Sequence, residues 1–96
     1  MKKIIVTFTD NNNNFSYELE LPTEVRLIEL YSDIADTLNK ANREKDLACP
    51  PIKNYAMYSK RSGKYLMPED TFQSAKVYSG DSIIIDTKRN EGEYYI

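Results

Sequence analysis

Residues 2–9 alternate between two faces, with Ile4, Val6 and Phe8 on one side and Ile5, Thr7 and Thr9 on the other. That two-residue period is the mark of a β-strand. In residues 15–21 the alternation is cleaner, because Phe15, Tyr17, Leu19 and Leu21 are interleaved with Ser16, Glu18 and Glu20. One face of this second strand therefore meets a core and the other meets water. Between the two lies Asp10-Asn11-Asn12-Asn13-Asn14, residue types that tolerate left-handed backbone and bond their own turns, so an antiparallel hairpin is predicted.

The period then changes. Leu27, Leu30, Tyr31, Ile34, Leu38 and Ala41 recur at three- and four-residue steps, which traces one stripe of an amphipathic helix over about residues 24–42. Pro22 ends the preceding strand, and Thr23 is placed to cap the helix, with Glu24 in its first turn at the positive end of the dipole. Glu29, Asp33, Asp36 and Lys40 occupy the opposite face. Carboxylates at this spacing can meet a cation, but a solvated face with an Asp36/Lys40 pair is the simpler reading.

Residues 43–54 turn polar and then run through Leu47, Cys49, Pro50, Pro51 and Ile52. Proline lacks the amide that a helix needs, so this is a connecting loop. Tyr55 to Ser59 reads as a third strand, Lys60-Arg61-Ser62-Gly63 as a turn and Lys64 to Met67 as a short fourth strand. Pro68 to Lys76 is a polar excursion, anchored in the core by Phe72, Ala75 and Val77. Gly80-Asp81 then turns into Ser82-Ile83-Ile84-Ile85-Asp86, an apolar run bounded by polar residues, as expected of a central strand.

Composition narrows the function classes. A 96-residue chain with 41% apolar and 29% charged residues fits one globular domain. We divide it into a domain over 1–87 and a charged, aromatic C-terminal tail over 88–96. Its formal charge of −2 gives no reason to expect nucleic acid as a partner. No apolar run reaches the roughly 20 residues that span a bilayer, and Met1-Lys2-Lys3 leads into a strand pattern instead of a signal-peptide core. Cytoplasmic residence without membrane insertion is the resulting expectation. Cys49 is the single cysteine, which excludes an internal disulfide.

The succession of a hairpin, a helix, two short strands, an irregular segment and a final strand resembles the ββαββ order of the ubiquitin-like, or β-grasp, superfamily. Several local features add to the resemblance: Lys64-Tyr65-Leu66, Pro68-Glu69-Asp70-Thr71-Phe72, Val77 and the closing Gly80-Asp81-Ser82-Ile83-Ile84-Ile85, with Pro50-Pro51 after the helix. The pattern spans residues 2–86. The implied fold is α+β, a mixed sheet with one helix packed across one face. Within the superfamily the chain is most similar to the YukD-like proteins, small bacterial ubiquitin-like proteins of type VII secretion systems. It shares with them a Thr-Phe first strand, the Leu27-Ile28-Glu29-Leu30 helix start and the Gly-Asp before the last strand. It departs from them in the long Arg43 to Asn54 loop and in the extension after Asp86. The resemblance implies a non-conjugating protein-binding module, an accessory or regulator of secretion with other proteins as partners, secretion-machinery components among them.

The alternative within the superfamily is a protein modifier or sulfur carrier activated after C-terminal processing. Such proteins act through an exposed terminal Gly-Gly, whereas this chain ends Glu91-Gly92-Glu93-Tyr94-Tyr95-Ile96. Catalysis is disfavoured on residue types. The sequence has no histidine, so the usual proton-transfer group and commonest metal ligand are missing, and Cys49 has no imidazole to activate it. Glu69/Asp70 and Glu18/Glu20 lie in a loop and on the wet face of a strand. No catalytic, cofactor or metal residues are assigned, and no cofactor is expected.

A partner surface is expected on the sheet face that the helix leaves open. If Ile4, Val6, Phe8, Ile83 and Ile85 turn to the helix, alternation sends Ile5, Thr7 and Ile84 outward, together with Ala56 and Tyr58. Ile5, Tyr58, Tyr65 and Ile84 then form an apolar patch rimmed by Lys60, Arg61 and Lys64. Single exposed apolar side chains are ordinary on any protein, and only contiguity makes a patch informative. Tyr94-Tyr95-Ile96 offers a second route, by adding as a strand to another chain or docking on its own, against the ordinary outcome of a frayed end. Homo-oligomerisation through the sheet or the tail is left open.

Overall fold

The computed structural model describes residues 2–47 and 49–87, so the expected tail over 88–96 lies outside the described residues. The elements run β1 (Lys3–Asp10), β2 (Ser16–Pro22), α1 (Leu27–Glu44), β3 (Ala56–Ser59), β4 (Lys64–Leu66) and β5 (Ser82–Asp86). The strands form one sheet in the order β2-β1-β5-β3-β4. β1 pairs antiparallel with β2 and parallel with β5, which makes the sheet mixed. β3 is antiparallel to both β5 and β4. The expected succession and architecture are both present.

Residue chemistry accounts for the connections. In the β1–β2 turn the Asp10 carboxylate accepts from the Asn14 backbone N–H at 2.6 Å and from its Nδ2 at 3.0 Å, while Asn13 takes left-handed backbone at φ 56°. Gly63 (φ 70°) and Gly80 (φ 93°) close the turns before β4 and β5, in a conformation that side-chain-bearing residues seldom adopt.

The core is the expected one. Val6 and Phe8 of β1, Leu27, Leu30, Ile34 and Leu38 of α1, Met57 of β3 and Ile83 and Ile85 of β5 belong to a single buried cluster. Phe72 and Val77 complete it from the excursion between β4 and β5. The alternation of β2 is looser, since Phe15 is buried while Tyr17, Leu19 and Leu21 are partly covered at the sheet edge.

The helix corrects one expectation. It begins at Leu27 and not near residue 24, and its N-cap position is Arg26, which makes no side-chain capping bond. Thr23 is instead tied to the strand layer, where its N–H donates to the Lys2 carbonyl at 3.0 Å. The first helical amides are satisfied from across the fold: Leu27 N–H donates to the Asp70 carbonyl at 2.8 Å and Ile28 N–H to the Pro68 carbonyl at 3.0 Å. Orphan donors at a helix start need acceptors, and a distant loop supplies them here. The first-turn acid is accordingly Glu29, paired with Arg26 at 3.2 Å.

The helix-to-β3 loop is fastened to α1 by two polar side chains. Asn39 accepts from the Ile52 N–H at 2.8 Å and donates to the Ile52 carbonyl at 3.0 Å, standing in for a strand neighbour. Tyr31 donates its hydroxyl to the Lys53 carbonyl at 2.7 Å and stacks on Tyr55 with ring centroids 4.3 Å apart.

Candidate functional site

The sheet register decides which outward residues meet. Tyr58 stands opposite Ile84 on one side and Tyr65 on the other, and Ile84 stands opposite Thr9. Thr9, Ile84, Tyr58 and Tyr65 therefore form one row across four strands of the face turned away from α1. The two tyrosine rings meet edge to face, with centroids 5.0 Å apart and planes at 68°, a favoured aromatic geometry. Ile84, Tyr58 and Tyr65 are each partly exposed.

Ile5 lies apart from this row. It is 44% exposed, yet Ile84 pairs with Thr9, so about 13 Å of β1 separates the two isoleucines at the rise of an extended strand. The Thr7–Ser82 pair lies between them. The expected patch is thus a compact row of three apolar side chains with Ile5 as an outlier at the end of the sheet. Ala56 shares strand β3's outward alternation with Tyr58 but is fully buried, so it adds no contact area.

The basic rim also divides. Lys60 follows β3 and remains exposed beside the row. Arg61 is committed to a structural role: its Nε donates to both Asp81 carboxylate oxygens at 3.0 and 3.1 Å, its Nη2 donates to the Lys76 carbonyl, and its guanidinium lies 4.9 Å from the Tyr78 ring centroid. Lys64 precedes Tyr65, so strand alternation turns it to the opposite side of β4.

Two residues not anticipated from the sequence fix the row in place. Asp86 ends β5 and is 7% exposed. Its carboxylate accepts the Tyr65 hydroxyl at 2.5 Å and the Asn11 amide at 3.2 Å, and Asn11 also accepts the Thr87 N–H at 3.2 Å. A buried carboxylate that holds a surface tyrosine pre-orients that ring. The available signal was an acid closing an apolar strand, which reads equally well as a simple strand terminus.

Among the described residues no group of three His, Cys, Asp or Glu side chains is placed to hold a metal ion, and no helix is long and apolar enough to cross a membrane. Cys49 is partly buried, beside Pro50 and Pro51.

No protein-family model matches the chain, and no curated protein matches it. Solved structures do. The EccD5 ubiquitin-like domain from Mycobacterium xenopi superposes with a TM-score of 0.75 at 16% identity, over 88% of this chain and 93% of that one. The fold is ubiquitin-like. The ubiquitin-like domain of the Mycobacterium tuberculosis type VII secretion system protein EccD1 gives 0.68 at 16% identity, over 91% of this chain and all of that one. A chain of the ESX-5 inner membrane complex gives 0.75 at 17% identity, covering 95% of this chain but 23% of its own length. The ubiquitin-like architecture expected from the residues is therefore found again in domains of type VII secretion proteins, at identities that speak for the fold.

Proposed function

We propose that this chain is a non-conjugating ubiquitin-like module that binds other proteins through the Ile84, Tyr58 and Tyr65 row, and that it serves in the cytoplasm as an accessory or regulatory component of type VII secretion. The observation that carries the binding reading is the row itself. Rigid aromatic side chains presented at a surface give large contact area at low entropic cost, and binding energy concentrates in such anchors. The Asp86 bond removes a further share of that cost by fixing Tyr65 beforehand. The secretion reading rests on the company the fold keeps, including a neighbour inside an inner membrane complex.

Affinity capture tests the reading. Full-length protein returned to lysate of its native cell should retain a defined set of proteins, secretion components among them, identified by mass spectrometry. Ile84→Glu and Tyr58→Glu should each reduce that capture at least tenfold, since a charge placed within a desolvated anchor row costs more than about 1.4 kcal/mol. Unchanged melting temperatures would show that the domain survives. Wild-type capture by both variants would refute the row as the binding surface.

A further inference from the structure

We propose that the groove beside β4 is a second binding site, one that takes an acidic, extended segment of a partner protein. The groove has a volume of about 360 Å³, at the lower end of the range of small-ligand sites. Among the described residues β4 is the last strand of the sheet, and none of their strands pairs with its outer edge. Leu66 and Ala75 line the groove, and Arg61, Lys64 and Lys76 surround it.

Charge decides the class of occupant. Arg61 is already spent on Asp81 and the Lys76 carbonyl. Asp70, the one acid among the described residues lining the groove, accepts the Met67 N–H at 3.0 Å. Lys64 and Lys76 are both exposed, and neither has an ion-pair partner among the described residues. Two uncommitted cations flanking an apolar floor and a free strand edge match an extended chain that bears carboxylates. Strand addition supplies the main-chain bonds of such a complex, and alternate side chains reach the lysines. A nucleic acid would need a longer track of cations than this.

The local turn fixes where one of these cations stands. Lys76 sits at φ 58°, a left-handed conformation unfavourable for any residue with a side chain. It is fixed there on both flanks: Lys76 N–H donates to the Gln73 carbonyl at 3.1 Å, Val77 N–H donates to the Phe72 carbonyl at 2.9 Å, and Arg61 grips the Lys76 carbonyl. Glycine would fit this position without strain, yet it carries a lysine at the mouth of the groove.

Fluorescence anisotropy on the full chain tests the site, with a short fluorescein-labelled peptide alternating Glu and Val as probe and its Lys-for-Glu counterpart as control. The Glu peptide should bind saturably and the Lys peptide should not. Lys64→Ala combined with Lys76→Gly should weaken binding roughly tenfold without lowering the melting temperature, because both side chains are exposed and glycine suits the backbone at position 76. The proposal is overturned by an absence of saturable binding, by equal binding of both peptides, or by unchanged affinity in the double variant. Loss of binding in Ile84→Glu instead would place the peptide on the open sheet face and overturn the groove while leaving that face in play. Roughly tenfold tighter binding in the full-length Glu91→Lys/Glu93→Lys variant would identify the chain's own tail as the occupant and overturn a partner segment.

Discussion

Tyr55 heads the fully buried side chains and donates its hydroxyl to the Tyr31 carbonyl at 2.7 Å. Burial first, and then the neighbouring Tyr31, push its phenol far above the ordinary tyrosine value near 10. Burial and then Cys49 move Tyr17 in the same direction. A folded-state value above the unfolded one means that the stabilisation is complete below about pH 10 and falls as pH rises beyond it, by up to about 1.4 kcal/mol per pH unit for one such group. Thermal melts between about pH 8 and 11.5 should therefore show a flat region and then a decline. In Tyr55→Phe the decline should be shallower, from a starting stability lower by about 1 kcal/mol for the lost hydrogen bond. An equally steep alkaline decline in that variant would contradict the assignment to Tyr55.

At the scale of elements, α1 depends on the excursion between β4 and β5. Its first two amides end on the Asp70 and Pro68 carbonyls, and that loop is pinned to the core by Phe72, which is fully buried. Phe72→Ala should destabilise the domain by about 3–5 kcal/mol, as a deep aromatic truncation does. Hydrogen exchange at Leu27 and Ile28 should accelerate by more than at Leu38, because the caps are released before the helix centre opens. Uniform acceleration along the helix would show that the loop does not act as its cap.

This dependence also explains what the sequence made legible. Alternation in β1 and the stripe of Leu30, Ile34 and Leu38 are local patterns, and they identified the core correctly. Thr23 misled because it has the chemistry of a helix cap, and nothing local reveals that Pro68 and Asp70 take that role. Asn39 escaped notice for the same reason, since its partner Ile52 belongs to a loop of undefined path.

For the whole molecule, the succession and faces of the strands were readable but their relative register was not. Register is set by pairing between strands distant in sequence, and it alone separates Ile5 from Ile84. Of the residues first expected to bind a partner, Ile84, Tyr58 and Tyr65 come together, Lys60 borders them, Arg61 serves the fold and Lys64 turns toward the β4 groove. Asp86 joins them as the residue that positions Tyr65.

Site-specific photo-crosslinking in the native cell tests the open face most directly. A benzophenone amino acid would replace Ile84 in one variant and Ile28, which is 52% exposed on the helix, in another. The Ile84 probe should yield a discrete covalent adduct with a partner protein, and the Ile28 probe should not. An adduct at Ile28 with none at Ile84 would contradict the claim that this ubiquitin-like domain meets its partner through the uncovered side of its sheet.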